Sequence, residues 1–247
     1  EDSCDTLGAT FKGKPTGAFS DISTTSFYGS HVINALGGGG MICVNSPEWR
    51  SRLLMLRGWG RTSALFADSE RYEKRFSQKL AGVSYDGKFI FSEVGYNLLP
   101  LEVSAAFGRV QLQKLPRFAR IRRANFARLA AYFRRWDRFF DLPQETPGAH
   151  TNWLAFPLTI RPEAPFGRGE LVKFLEEHNI QTRPVFTGNI LRQPAYARLS
   201  GRSGSSQYPV ADSIMRNAFV IGCHQGLTSR HLRRLQEVFE AFLKRVI

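Results

Sequence analysis

Cysteine is scarce in this chain, and long apolar runs are missing from it. The 247 residues include Cys4, Cys43 and Cys223, which are too few and too widely spaced for a disulfide framework. Without a CxxC pair, the sequence predicts neither a zinc site nor an iron–sulfur cluster. No run of about 18 apolar residues suggests a membrane span, and no charged-then-apolar leader suggests secretion. We therefore expect a globular, metal-free protein of a reducing cytoplasm.

Acidic residues are outnumbered, with 21 Asp and Glu against 34 Lys and Arg and a formal net charge of +13. Such an excess can neutralise phosphates, so nucleic-acid binding is one interpretation. Much of the charge lies in 117–138, however, where arginines alternate with apolar residues at mostly helical spacing. This pattern favours a basic helix that faces solvent or another subunit. The nucleic-acid alternative rests on charge alone, because no recognisable binding motif accompanies it.

Local patterns predict sheet and loops before about residue 100 and a long helix after it. Apolar stretches at 18–27 and 41–44, interrupted by Gly and Ser/Thr clusters, are typical of buried strands joined by loops. Pro100 opens a helical pattern that continues into the arginine-rich segment. Pro116 lies inside this pattern and predicts a kink there.

The remainder of the chain predicts a small α+β domain. Strands are expected at 153–160 and 219–221, and a helix around 171–175. The last helix has Thr228 as its expected N-cap. Its expected buried stripe consists of Leu232, Leu235, Phe239 and Phe242. The Gly/Ser-rich segment 200–206 is expected to be an exposed, mobile loop.

Three short segments carry groups suited to ligand binding. Residues 1–5 place acidic side chains where a strand gives way to a loop, although such residues are often only turn formers. Residues 23–26 offer hydroxyl donors suited to a phosphate, although Ser/Thr clusters are often only loops. Residues 37–40 are glycines without the Lys-Ser/Thr ending of a nucleoside-triphosphate loop, so they predict a tight turn.

The order and spacing of these and later motifs resemble the DegT/DnrJ/EryC1/StrS family of sugar aminotransferases and dehydratases, which are fold-type I pyridoxal-phosphate enzymes. The motifs are residues 1–8, 17–40 with Ser26-Phe27-Tyr28-Gly29-Ser30-His31, 95–97 followed by Ala105-Ala106, 181–183, 188–189 and 193–194. The resemblance covers nearly the whole chain. It implies an α/β fold with part of the cofactor-binding large domain at 1–115 and a small α+β domain at 116–247. Because no methionine precedes Glu1, we expect the chain to be the latter part of a longer polypeptide.

The resemblance also implies a cofactor, pyridoxal 5'-phosphate or pyridoxamine 5'-phosphate, and residues that hold it. Asp2 is expected to pair with the pyridine nitrogen, which keeps the ring able to take up electrons. Asp5 corresponds to a residue near the ring 3-hydroxyl, and Ser26 to a phosphate ligand. Asn97 corresponds to a residue that reaches the cofactor phosphate of the neighbouring subunit, which implies a homodimer.

His31 occupies the position at which the aminotransferases of this family have the lysine that binds the cofactor covalently. The resemblance is therefore to the nucleotide-sugar 3-dehydratase branch, which acts on sugars such as GDP-4-keto-6-deoxy-D-mannose. In this interpretation His31 removes a proton and can return one as the 3-hydroxyl leaves, since imidazoles ordinarily titrate near neutral pH. Arg183 and Asn189 are the expected substrate-binding residues. Glutamate is the expected amine donor that regenerates the cofactor in deoxysugar biosynthesis, such as that of lipopolysaccharide O-antigen.

Several alternatives remain open. Val32 stands where such dehydratases usually have a second histidine, so neither the nucleotide nor the sugar is specified. Trp59-Gly60-Arg61 is followed by Thr62-Ser63-Ala64 and not by cysteine, which argues against the iron–sulfur type of dehydratase. The absence of the lysine is also compatible with a non-catalytic relative that regulates a carbohydrate pathway. The retention of Asp2, Ser26 and Asn97 together argues against that relative.

Overall fold

The computed structural model describes residues 1–196 and 208–247. The loop predicted at 200–206 lies outside the described residues. The strands are β1 (Thr10–Phe11), β2 (Lys14–Pro15), β3 (Ile22–Ser26), β4 (Gly40–Val44), β5 (Gln78–Leu80), β6 (Val83–Tyr85), β7 (Phe140–Asp141), β8 (Ala149–His150), β9 (Ala155–Ile160), β10 (Thr182–Pro184) and β11 (Ala218–Gly222). The α-helices are α1 (Pro47–Arg57), α2 (Tyr72–Arg75), α3 (Glu102–Phe133), α4 (Arg168–Glu177), α5 (Pro209–Asn217) and α6 (Ser229–Val246).

The chain divides into two compact units. Unit 1 comprises Glu1–Asp5 and Gly17–Gln113, and unit 2 comprises Thr6–Thr16 and Lys114–Ile247. The division falls inside α3, near the boundary expected at 115/116, but residues 6–16 group with unit 2. The assignment of a cofactor domain to 1–115 and a small domain to 116–247 stays a prediction.

Unit 2 is built on an antiparallel sheet of order β10-β11-β9-β7. Alternate residues of β9 are buried, as expected for a strand with one face against a core. The expected apolar stripe of α6 is buried in full, and α4 buries Leu171, Phe174 and Leu175. At the start of α6 the Thr228 N–H donates to Nδ1 of His231 at 3.1 Å, in a reciprocal capping arrangement. The predicted strands and helices of this region are confirmed.

Arg122 corrects the expectation that the arginine-rich helix carries only solvent- or subunit-facing charge. Its side chain is 2% exposed and donates to the carbonyl oxygens of Trp153 and Leu154 at 3.1 and 3.0 Å. A third bond goes to Oε1 of Gln225 at 2.8 Å. Desolvation lowers the pKa of this guanidinium. The helix itself continues through Pro116 to Phe133 as a single element.

Unit 1 contains the antiparallel pairs β3–β4 and β5–β6. It also contains the helices α1 and α2, so the expectation of sheet and loops alone was wrong. No residue of α1 is buried, and the helix lacks the apolar stripe on which pattern recognition depends. Ser46 caps it by accepting a hydrogen bond from the Trp49 N–H at 3.2 Å.

Residues 1–196 and 208–247 contain neither a membrane-spanning helix nor a metal-binding cluster. No helix there is long and apolar enough to cross a membrane. No cluster of His, Cys, Asp and Glu side chains there could hold a metal ion.

Candidate active site

The first residues of unit 1 are held against strand β3. The Ser3 N–H donates to the Thr24 carbonyl at 2.8 Å, and the Thr24 N–H donates to the Glu1 carbonyl at 2.9 Å. Asp2 is thereby paired with Thr24 in a parallel bridge, two residues before Ser26 at the end of β3. The strand thus brings two of the predicted cofactor ligands, Asp2 and Ser26, to one edge.

Asp2 keeps an accessible, ionised carboxylate. Its Oδ1 accepts a hydrogen bond from the Cys4 N–H at 3.1 Å. Hydrogen bonds from the Cys4 side chain and backbone hold the pKa of Asp2 below its ordinary value, and the charge of His31 acts in the same direction. Ionisation at neutral pH suits a carboxylate that must stabilise a protonated ring nitrogen.

The loop between β3 and β4 carries His31 and buries three consecutive or near-consecutive apolar side chains. Val32, Ile33 and Ala35 are 2%, 3% and 6% exposed. The backbone closes the loop, because the Phe27 N–H donates to the Gly39 carbonyl at 2.9 Å and the Ala35 N–H to the Phe27 carbonyl at 3.1 Å. Val32 is one of these buried residues, so a second histidine at its position would bury an imidazole.

The turn at the end of this loop requires glycine, as the sequence predicted. Gly37 and Gly39 have φ values of 89° and 105°, in the region that favours glycine. A Cβ atom on Gly40 would lie 2.9 Å from the Thr25 carbonyl oxygen. The tight turn lets β4 pair closely with β3 beside the predicted site.

The His31 ring lies against two of the predicted site residues. Its Nε2 is 3.3 Å from Oδ1 of Asp5, and its Nδ1 is 3.4 Å from the carbonyl oxygen of Ser26. The ring of Tyr28 meets the imidazole edge-on, with centroids 5.7 Å apart. The structure therefore brings together Asp5, Ser26 and His31, with Asp2 paired to the same strand. The sequence placed these residues in one site but gave no sign of the Asp5–His31 contact.

Asn97 lies on a different loop of unit 1. The Trp59 N–H donates to the Tyr96 carbonyl at 2.8 Å, and the Leu98 N–H donates to the Arg57 carbonyl at 3.0 Å. These bonds tie the Asn97 segment to the end of α1. The approach needs Gly95, because a Cβ atom there would lie 2.1 Å from the Gly60 nitrogen. The Asn97 side chain is exposed and has no hydrogen bond to any other described residue.

The two predicted substrate ligands belong to unit 2 and differ in accessibility. Arg183 on β10 is exposed, and its guanidinium donates to the Thr182 carbonyl at 2.6 Å. Asn189 is 6% exposed, and its amide donates to Oδ1 of Asp212 at 2.8 Å. Its oxygen accepts from the Leu191 N–H at 3.1 Å. Both ends of the Asn189 amide are therefore bonded within the unit, and its role in substrate binding stays a prediction.

Asp212 was not predicted from the sequence. It is 4% exposed and accepts a hydrogen bond from an Arg192 guanidinium nitrogen at 2.6 Å, in addition to the bond from Asn189. Hydrogen bonds from Arg192 and Asn189 hold the pKa of Asp212 well below its ordinary value. The side chains of Asn189, Arg192 and Asp212 form one polar cluster, which joins the segment around residues 188–194 to helix α5.

Residues 1–240 match the DegT/DnrJ/EryC1/StrS aminotransferase family. The chain belongs to this family. Membership confirms the predicted resemblance for nearly the whole chain and covers every predicted site residue.

Three similar proteins extend the comparison within the DegT/DnrJ/EryC1/StrS family. Lipopolysaccharide biosynthesis protein RfbH of Salmonella typhimurium is 38% identical, over 98% of this chain and 56% of its own. The dTDP-4-dehydro-2,6-dideoxy-D-glucose 3-dehydratase of Saccharopolyspora spinosa is 35% identical, over 98% of this chain and 53% of its own. The solved structure of E. coli GDP-4-keto-6-deoxy-D-mannose 3-dehydratase with bound hydrated pyridoxal phosphate is 31% identical and has a TM-score of 0.81. The match covers 96% of this chain and 59% of that structure's chain. The predicted fold class is confirmed, and the chain spans somewhat more than half the length of these relatives.

Proposed function

We propose that this chain carries the proton-transfer and cofactor-binding residues of a pyridoxamine-phosphate-dependent dehydratase. Its substrate would be a nucleotide-linked 4-keto-6-deoxyhexose, which loses the hydroxyl at C3 in deoxysugar biosynthesis. The observation that carries the proposal is His31, an imidazole at the position of the family's lysine and in contact with Asp5 and Ser26. Two similar proteins with 3-dehydratase names support the same reaction.

The residues of unit 1 fit pyridoxamine or pyridoxal phosphate. The depressed pKa of Asp2 matches a carboxylate that faces a protonated ring nitrogen. The Ser26 hydroxyl, half-buried at the end of β3, offers a donor to a phosphate oxygen. When bound, the cofactor supplies an amine for the sugar ketone and a ring that takes up electrons. Position 31 provides no amine, so we expect the cofactor to be held without a covalent bond.

In this proposal His31 carries the acid–base chemistry. The imidazole accepts a proton and then donates one to the departing C3 oxygen, so the hydroxyl leaves as water. A general base of this kind contributes roughly 10²–10⁴-fold to the rate. Asp2 keeps the ring protonated, and Asp5 and the Ser26 carbonyl hold the imidazole. Arg183 is exposed on β10, so its guanidinium is accessible to a substrate phosphate.

A reconstitution assay tests the proposal. The 247-residue chain, and the longest reading frame that contains it, are supplied with pyridoxamine phosphate, glutamate and GDP-, CDP- or dTDP-linked 4-keto-6-deoxyhexoses. We expect a 3-deoxy product from one nucleotide series and none from His31→Asn, because an amide cannot serve as the base. A 4-amino sugar as the main product would favour an aminotransferase. Cofactor binding without turnover of any substrate would favour the non-catalytic relative.

A homodimer with shared sites is part of the proposal, with Asn97 serving the neighbouring subunit's site. If His31→Asn and Asn97→Ala are each inactivating, a mixed dimer has one site with both defects and one intact site. Random reassortment of equal amounts under two-fold symmetry should then restore about a quarter of the parental activity. If isolated mixed dimers are no more active than the two mutant homodimers, Asn97 does not serve the partner's site.

A further inference from the structure

His31 has an oxygen acceptor beside each ring nitrogen. Nε2 faces Oδ1 of Asp5 at 3.3 Å, and Nδ1 faces the Ser26 carbonyl oxygen at 3.4 Å. The His31 and Asp5 side chains are 18% and 26% exposed, so both contacts are partly shielded from water. The two acceptors differ in mobility and charge, because one is a backbone carbonyl of β3 and the other is a carboxylate.

Oδ1 of Asp5 has no hydrogen-bond donor among the described residues. Oδ1 is buried and lacks a well-aligned hydrogen bond from any described residue, although Nε2 of His31 lies at ion-pair distance from it. A buried carboxylate oxygen without a donor is costly, so the proton of a neutral His31 is favoured on Nε2.

That placement leaves the lone pair on Nδ1. The Ser26 carbonyl has no hydrogen to donate and cannot occupy this lone pair. Once Nδ1 takes up a proton, the same carbonyl becomes its acceptor, and Asp5 continues to hold the proton on Nε2. The Ser26 carbonyl and the Asp5 carboxylate thus provide an acceptor for each proton of the charged ring.

We propose that Nδ1 of His31 is the proton-exchanging nitrogen, and that Asp5 is the positioning residue that fixes the neutral ring in its Nε2–H form. This inference rests on the proposed function for the identity of the substrate. It gives Asp5 a role distinct from the contact with the cofactor 3-hydroxyl that the resemblance implies. In this role Asp5 acts on the proton transfer through His31.

Replacing Asp5 with asparagine should invert the preference. The Asn side chain keeps the shape but can donate its amide N–H to Nε2. The Ser26 carbonyl then accepts a hydrogen bond from Nδ1–H. The lone pair lies on Nε2, and Nδ1 can no longer accept a proton. An Asp-to-Asn change beside a catalytic histidine acts in this way in serine proteases, through the wrong tautomer.

The test is ¹⁵N NMR of the imidazole rings in the whole chain without cofactor. The five histidines give few signals, and His31→Asn identifies that of His31. In the neutral form we expect Nε2–H for the parental chain and for Asp5→Glu, which keeps the carboxylate. We expect Nδ1–H for Asp5→Asn. Asp21→Asn removes an exposed carboxylate of the same unit and should leave the His31 signal unchanged.

An Nδ1–H form in the parental chain, or an unchanged tautomer in Asp5→Asn, would overturn the inference. The backbone amide signals of Val32 and Ile33 report whether the loop remains folded. If Asp5→Asn does not fold, Asp5→Gln replaces it as the counterpart of Asp5→Glu, because its amide can also donate an N–H to Nε2.

The proposed function has a separate readout. With an accepted substrate, Asp5→Asn should lower kcat by about 10²–10⁴-fold, since a base with its lone pair on the wrong nitrogen is lost, and leave KM nearly unchanged. Absence of dehydration in every form of the protein rejects the function but leaves the tautomer result intact. Dehydration without a tautomer switch rejects the role of Asp5 alone.

Discussion

The two units differ in what surrounds their apolar side chains. Unit 2 has a continuous aromatic and aliphatic core, in which Phe133, Phe156 and Phe239 are fully buried. In unit 1 the buried hydrophobic residues are Val32, Ile33 and Ala35, whereas side chains such as Trp49, Tyr72 and Val94 are 52%, 74% and 95% exposed. Unit 1 is organised chiefly by backbone pairing and turns. Within this 247-residue chain, its candidate acid–base groups therefore lie in the unit with fewer buried side chains, where local opening is expected to be easier.

The largest effect expected from this difference is in the core of unit 2. Phe239 is fully buried and meets Phe133 at a centroid distance of 4.9 Å. Phe239→Ala should lower the free energy of unfolding by about 3–5 kcal/mol. Phe66→Ala is the matched change in unit 1, and because Phe66 is 55% exposed its effect should stay within about 0.5 kcal/mol. Urea unfolding followed by circular dichroism measures both free energies of unfolding. Similar losses for Phe239→Ala and Phe66→Ala would contradict the difference in packing between the two units.

Arg122 sharpens the comparison within one helix. Arg122→Met should cost about 2–3 kcal/mol, because the carbonyls of Trp153 and Leu154 lose a charged donor in a buried place. Arg120 lies on the same helix, is exposed and has no hydrogen bond or ion pair to any described residue. Arg120→Met should therefore be nearly neutral. Equal unfolding free energies for the two variants would mean that the buried bonds of Arg122 contribute nothing.

The cap of α1 provides a smaller effect in unit 1. Ser46→Ala removes the acceptor of the Trp49 N–H and should weaken the helix by about 1 kcal/mol. Hydrogen exchange measured by mass spectrometry over 47–57 should then rise about fivefold. Ser51→Ala, inside the same helix, is the control and should not raise exchange, because alanine has the higher helix propensity. Unchanged exchange in Ser46→Ala would mean that this cap does not hold α1.

The effect expected at Asp212 is a dependence of stability on pH. Its pKa is depressed in the folded chain, so its bonds stabilise the fold above the unfolded-state pKa of about 3.9, and that contribution is lost as pH falls. The difference in stability between the parental chain and Asp212→Asn should therefore shrink on going from about pH 6 to about pH 2.5. Asp137→Asn, an exposed aspartate of the same unit, is the control. A difference that grows on acidification would contradict the depressed pKa.

The same contrast explains which features the sequence revealed. Helix α6 was predicted because Leu232, Leu235 and Phe239 recur on its buried face, and burial is what creates such a pattern. Helix α1 buries no residue, so it left no apolar stripe. Ser46 followed by Pro47 and Glu48 is the signal that could have located it. Periodicity reveals which face of an element is buried, and unit 1 buries little.

Contacts between distant positions could not be predicted in this way. The partners of Arg122 lie 31, 32 and 103 residues away in the sequence. Motif order predicted Asp5 and His31 to be site residues, but their contact depends on how the loop after β3 folds back towards residue 5. Asn189 was expected to bind substrate, and only the fold reveals that its amide is bonded to Asp212 and Leu191.

With His31 in place of the lysine, we expect the cofactor to be held without a covalent bond. Pyridoxal phosphate is added to the chain and to its longest reading frame, followed by borohydride reduction and peptide mass spectrometry. We predict no cofactor-sized mass increment on the peptide that contains residue 31. His31→Lys should gain that increment, which demonstrates that the cofactor reaches the site. An increment at position 31 in the parental protein, or none in a folded His31→Lys variant, would contradict the account.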